Sequence, residues 1–538
     1  MRTSRFAAAT ASLALAAAAC GGPHPAGPDG SVPFEITGDM PPAKGPVDAV
    51  TWSLYAEPQS LDYAYAFDYP PNTVLANVCE QLMRITPDMR LEPGLAVAVA
   101  SPDPRRWVYT IRSGVRFHDG STLTADDVVA SLRRHMDPEV GSYWVSVFQN
   151  VTSIEKTGPL EVTVRLKKPD QLFNEQMGTS AGTVASAASL AERGYGTPDA
   201  GVDCTGPYAF DGWQKGQSIT LRKFDGYWDR ALAPKAGTIR HVFIQDPAAR
   251  VNALLAGEVD GGYLLPSSGF ARLRAATTGR LYFGPNTTAV NLIPTDLKGT
   301  LGDLRVRRAL SMALDRPGII KAAAAGVGTP SKAPAAIGAW GIAPEAAKGY
   351  YDRLPPLGQD LAAARKLVQE AGAAGRKIVM ATSTLSPEIG VIANAVQSAG
   401  QAIGLRVELK AVAPDAYSAL FADAKAREGL DLVMTTWYDS TPDPLEFYGV
   451  LQTGNFANYG GYTNPAYDAL VDEANAQADP AARAATVARL QEIAVRELVW
   501  IPLYEVPHSV FVNNRITGAP TGIAQLVYPW AAALGSAG

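Results

Sequence analysis

The sequence has few of the residues that most enzymes and metalloproteins depend on. Only three cysteines and five histidines occur in 538 residues. The histidines (24, 118, 135, 241 and 508) are scattered and match no metal-ligand spacing. No HExxH, P-loop or dinucleotide fingerprint is present, so neither metal nor cofactor is expected. Basic residues do not exceed acidic ones: 47 against 52 give a formal charge of −5, which lacks the basic face that nucleic acid requires. After the first twenty residues there is no run of eighteen apolar residues, so no later segment is expected to span a bilayer. What remains, 47% hydrophobic and 18% charged, is globular, and its length predicts two or three domains.

The N-terminus carries an address. Arg2 and Arg5 precede a short Ala/Leu run, Phe6 to Ala19, which reads as a secretory signal rather than a permanent membrane helix. Its end, "LALAAAAC", resembles a bacterial lipobox, in which the cysteine receives lipid and becomes the new N-terminus. Ala17 departs from the leucine preferred three places before the cysteine. Cys20 is therefore expected to be lipidated, the alternative being a secreted protein with a free Cys20. Residues 21–46 hold seven prolines and six glycines and read as a flexible tether. In an exported chain the other two cysteines, Cys79 and Cys204, are expected to form a disulfide; the alternative is a pair of buried free thiols.

The body alternates strands with capped helices. "AVTWSLYA" is a strand, and a helix over 73–83 carries Cys79. "RRWVYTIRSGVRFHDG" and "PLEVTVRLKKP" have the period-two alternation of half-buried strands. Between them Thr124 and Asp127 have the spacing of a capping box, ahead of a helix whose Ala125, Val128, Val129 and Leu132 share a face. This is a small α+β unit. The second half is richer in helix, with starts at Asp360, Asn464-Pro465 and Asp479-Pro480, and strands at "GLRVELKAV", "LDLVMTTWY" and "WIPLYE". The alternation predicts an α/β lobe.

Chemistry is sparse. Gly178-Thr179-Ser180-Ala181-Gly182 fits the nucleophile elbow of serine hydrolases, with His508 far downstream, but polar "DQLFNEQM" stands where a buried strand is required. Aromatic loops are the better lead. "MTTWYDSTPDPLEFYG" is a strand running out into a loop, where Trp437 and Tyr438 suit a pocket wall and Asp439 or Asp443 a cationic group. For Asp443 a turn cap before Pro444 is the preferred reading. "GSYWVSVFQN", with Tyr143 and Trp144, is either a second aromatic contact or core packing. "FANYGGYTNP", with Asn458, Tyr459 and Tyr462, is a third group.

Taken in order, "EPQSLDY", "VCEQLMRITPDMRLEPGLA", "VRFHDGSTLTADDVVASL", "CTGPYAF", "VRRALSMALDR", "TNPAYDALVDEA" and "IPLY" resemble the extracytoplasmic solute-binding proteins of peptide ABC importers, the dipeptide/oligopeptide-binding family 5, over almost the whole chain. The resemblance implies an α/β, two-lobed periplasmic-binding-protein-like fold with an extra α+β subdomain. Lobe I would comprise 47–78, 201–288 and 506–538, the extra subdomain 79–200, and lobe II 289–505. It further implies a monomer without catalytic groups that encloses a short peptide or other small molecule and docks on an ABC permease and its ATPase. Its place would be the outer face of the membrane, held there by the lipid anchor. Peptide-binding members usually carry, three residues after the tryptophan matching Trp437, an aspartate that pairs with the peptide α-ammonium. This chain has Ser440 there and Asp439 one residue early. No arginine occurs between Arg316 and Arg353 to hold a carboxylate, although Trp340 from that loop is expected to line the site. The ligand is accordingly a peptide or another solute, such as a glycoside, a siderophore or a modified amino compound.

Overall fold

A computed structural model describes residues 34–538; the signal run, Cys20 and residues 21–33 lie outside the described residues. Two lobes are each built on a mixed sheet. The first sheet has seven strands in the order Tyr208–Gln214, Ser218–Lys223, Ala236–Phe243, Val47–Leu54, Gly261–Tyr263, His508–Asn513 and Gly279–Gly284. Val47–Leu54 runs parallel to both of its neighbours. The second sheet has six: Thr329–Pro330, Ile501–Glu505, Thr288–Pro294, Leu432–Tyr438, Lys377–Thr382 and Arg406–Ala411. A four-stranded antiparallel sheet, Ala96–Asp103, Arg106–Ile111, Glu161–Leu166 and Val151–Gly158, forms the smaller subdomain.

The chain crosses between the large sheets twice, at 285–287 and at 506–507. Asn286 Nδ2 donates to the Val506 carbonyl at 2.9 Å, tying the two crossings together. Two short, bonded crossings are the form a hinge takes, because few residues then absorb the change in φ and ψ.

Local chemistry explains most element boundaries. In the subdomain helix Ala125–Arg133, the Thr124 amide and hydroxyl both donate to Asp127 Oδ2, at 2.9 and 2.7 Å. Asn464 Oδ1 accepts from Ala466 N and Tyr467 N to open Pro465–Ala476, and Asp479 caps Pro480–Glu497 through Ala481 N. One helix is displaced from its expected place. It spans Tyr69–Val78 rather than 73–83, because Asp68 caps Tyr69 N and Pro70 and Pro71 occupy the first turn. Cys79 then adopts extended backbone, and Glu80–Gln81 pairs with Thr183–Val184. Cys79 and Cys204 are joined by a disulfide across a sequence separation of 125.

The expected tether needs correction over 34–46. Thr37 N donates to the Phe283 carbonyl, and Thr517 Oγ1 donates to the Pro41 carbonyl at 2.7 Å. Met40 is buried in the first lobe's core, and Phe34 packs edge-on against Phe283 at 5.8 Å. Proline and glycine give no core of their own, but their carbonyls accept hydrogen bonds and the few apolar side chains among them anchor the segment.

Candidate functional site

The strand Leu432–Tyr438 ends where the two lobes and the subdomain meet, and beyond it the chain turns through Pro442 and Pro444 into the helix Leu445–Val450. A narrow cavity of about 20 Å³, room for little more than one water, lies there. Tyr438, Asp439 and Ser440 line it from the second lobe; Asn72 and the turn Ile523–Val527 from the first; Trp144, Thr179 and Ser180 from the subdomain.

Asp439 is its most unusual group. The side chain is 1% exposed; Oδ1 accepts from Trp437 Nε1 at 3.3 Å, and Oδ2 has no partner. Burial raises its carboxyl well above the ordinary range, and the charges of Glu446 and Asp443 add to the effect. A buried carboxylate oxygen without a donor is costly, so its presence on a residue that lines a cavity is a reason to look for a ligand. Trp144 Nε1 is likewise buried without a partner, which gives the same cavity an unsatisfied donor.

The surrounding acids are held differently. Glu446 clasps the loop, accepting from Ser440 Oγ at 2.5 Å and from Thr441 N and Oγ1 at 2.8 Å each. Asp443 accepts from Leu445 N at 2.9 Å and from Arg483 Nε at 2.6 Å, the turn cap expected of it with a buried ion pair added.

The cavity gathers only some of the residues singled out from sequence. Tyr438 reaches across the cleft: its hydroxyl donates to the Phe67 carbonyl at 2.5 Å, and its ring tilts against Tyr69. Trp437 is not brought to the cavity. Its ring packs edge-on against Phe447 and Trp500 of the second lobe, and its indole N–H holds Asp439 in place. Trp340 is 2% exposed and packs with Tyr350 in the second lobe's core, away from the lining. Tyr143, 57% exposed, stands edge-on to Tyr65 and Phe67 at the surface. Asn458 clamps its own loop through Tyr462 N and O, and Tyr459 packs near Trp500 beneath Arg427.

Asn72, Thr179 and the turn Ile523–Val527 were not anticipated. Two signals pointed to the subdomain's share: Trp144, singled out as a candidate aromatic contact, and the small-residue run at 178–182, which suggested an elbow. Ser180 follows the helix Leu172–Gln176 instead of a strand, and its hydroxyl donates to Asn72 Oδ1 at 2.8 Å. His508 pairs with the Thr521 carbonyl. Among the described residues no group of His, Cys, Asp and Glu is suited to a metal ion, and no helix is long and apolar enough to cross a membrane.

Comparison with known proteins accounts for this architecture. The model for bacterial extracellular solute-binding proteins, family 5 (middle region), matches residues 90–459. The chain belongs to this family, the family 5 solute-binding proteins of ABC transporters. The glutathione-binding protein GsiB of Escherichia coli K12 is 26% identical over 453 residues, covering 82% of this chain and 86% of that protein. Among solved structures, DppA from Helicobacter pylori in complex with the peptide STSA superposes with a TM-score of 0.79 at 21% identity, covering 92% of this chain and 99% of that one. AgaA from A. tumefaciens R10 in complex with agropinic acid gives a TM-score of 0.78 at 23% identity, covering 91% and 98%. These neighbours share the two-lobed binding-protein fold.

Proposed function

We propose that this protein captures a small solute bearing a positively charged amino group, a short peptide or a related amino compound, between its two lobes. It then presents the closed form to an ABC import permease, held at the outer face of the membrane by a lipid on Cys20. The observation that carries the reading is Asp439, a residue lining the interlobe cavity whose buried carboxylate has one unpartnered oxygen. A ligand ammonium would complete it, and the unpartnered Trp144 Nε1 would serve an acceptor elsewhere on the same solute.

Asp439 takes the role that position 440 lacks. The Ser440 hydroxyl is engaged with Glu446, and Asp439 follows the last strand residue, so strict alternation of faces no longer governs where it points. Related proteins named for glutathione, a peptide and agropinic acid agree with varied ligands across the family rather than one.

The test has two stages. Mass spectrometry of small molecules released on denaturing the purified protein identifies the solute. Calorimetric titration of Asp439→Ala with that solute should then show binding weakened by about 2–5 kcal/mol, since the ligand charge is left unpaired. Unchanged affinity would overturn the ammonium contact and point to a neutral ligand held by hydrogen bonds and packing.

A further inference from the structure

Behind the cavity wall, the carboxylates clustered around Asp439 outnumber the cations that reach them. Glu175, from the subdomain helix Leu172–Gln176, joins Asp439, Asp443 and Glu446 there, and Arg483 is the one basic side chain among the described residues that bonds any of the four. Arg483 is 3% exposed. Its Nε donates to Asp443 at 2.6 Å and its Nη1 to the Gln477 carbonyl at 3.0 Å, both within the second lobe. Its charge is therefore answered whether or not the subdomain is in place.

Glu175 reaches the same guanidinium from across the cleft, 3.3 Å from Nη2, as a second carboxylate on one cation, and its Oε2 is buried with no partner. Glu446 is held by hydroxyl and amide donors alone, and Asp439 Oδ2 by nothing. Besides the Glu175–Arg483 contact, the subdomain is held here by a hydrogen bond from Gln171 N to the Asn475 carbonyl at 2.9 Å, by the Gln176 side chain on Glu446 and by an exposed ion pair, Lys168–Asp472. None of these adds a cation to the acids.

We propose that Glu175, Asp439 and Glu446 form an acid gate: desolvated together by closure with no cation of their own, they hold the ligand-free protein open at neutral pH until a ligand cation, or protons, let it close. The ligand half of this statement rests on the reading of Asp439 given above; the ligand-free half does not.

The titration behaviour agrees in direction. Burial, with the Asp443 charge adding and Arg483 opposing, pushes Glu175 up to about 7, and burial also raises Asp439 and Glu446. The other titratable groups facing them are the phenols of Tyr109, Tyr438 and Tyr448, which burial keeps neutral. In this gate, opening the cleft returns the three carboxyls to water and so lowers them toward the ordinary carboxylate range. The closed form thus binds protons more tightly than the open form. Closure of the empty protein is most favoured below about pH 4 and loses ground as pH rises toward 7.

The experiment uses protein freed of ligand by unfolding and refolding, followed by small-angle X-ray scattering from pH 5 to pH 8, with near-ultraviolet circular dichroism to verify the native fold. The wild type should be open at pH 8 and shift toward the compact form at pH 5. Glu175→Gln combined with Asp439→Asn should raise the closed-to-open ratio at pH 8 by tenfold or more and flatten the pH response. Equal radii of gyration for wild type at both pH values, together with a variant indistinguishable from wild type, would overturn the gate. A neutral solute released from the native protein would instead overturn the ammonium reading while leaving this scattering result to stand on its own.

Discussion

Asp443 and Asp439 lie four residues apart in one loop, yet substituting them should produce opposite signatures. Asp443 is fully buried, caps Leu445 N at 2.9 Å and pairs with Arg483 at 2.6 Å inside one lobe. In Asp443→Ala the guanidinium, itself 3% exposed, keeps only the Gln477 carbonyl within its lobe. Breaking a buried pair from one side costs about 3–5 kcal/mol, and loss of the cap adds about 1 kcal/mol. At roughly 2–4 °C per kcal/mol for a unit of about 200 residues, the second lobe should melt about 8–24 °C lower. Urea titration should show a lower midpoint with an unchanged slope. Affinity measured below the transition should fall far less than in Asp439→Ala. The decisive control is Asp443→Ala with Arg483→Met, because removing both partners of a buried pair is often close to neutral. If the double variant is no more stable than Asp443→Ala alone, the argument from an orphaned charge is wrong. If Asp443→Ala loses binding with its melting temperature intact, Asp443 is a ligand contact and not a strut.

Two further outcomes follow from the ends of the chain and the disulfide. Denatured, unreduced protein should show no reactive thiol from Cys79 or Cys204. Reducing their bridge should cost up to about 5 kcal/mol in the chain-entropy picture for a loop of this length; two reactive thiols would refute the bond. Cys20→Ser should move the protein from the membrane fraction to the soluble exported fraction, and unchanged fractionation would remove the lipid anchor from the proposal.

Elements whose start and stop chemistry is local could be read directly from the residues. Thr124 with Asp127, Asn464 with Pro465 and Asp479 with Pro480 satisfy or omit amides within one turn of themselves, so their helices need no tertiary information. The strands "LDLVMTTWY" and "WIPLYE" announce themselves by apolar residues that only a sheet between layers can bury. The same loop-end logic led to Asp439, because a carboxylate just past a buried strand has few places to go but the cleft.

Where an aromatic ring goes is another matter. Trp437 and Trp340 have the composition of pocket walls, but Phe447 with Trp500, and Tyr350, occupy their faces, and those partners come from packing that no short stretch encodes. Met40 docks in the first lobe's core for the same reason, against strands hundreds of residues away in sequence. The acid gate is the extreme case: Glu175 and Arg483 stand 308 residues apart, and neither is unusual by itself. Their meaning comes from desolvation. A carboxylate is ordinary in water and costly when two lobes close over it, and only the tertiary structure decides which carboxylates those are.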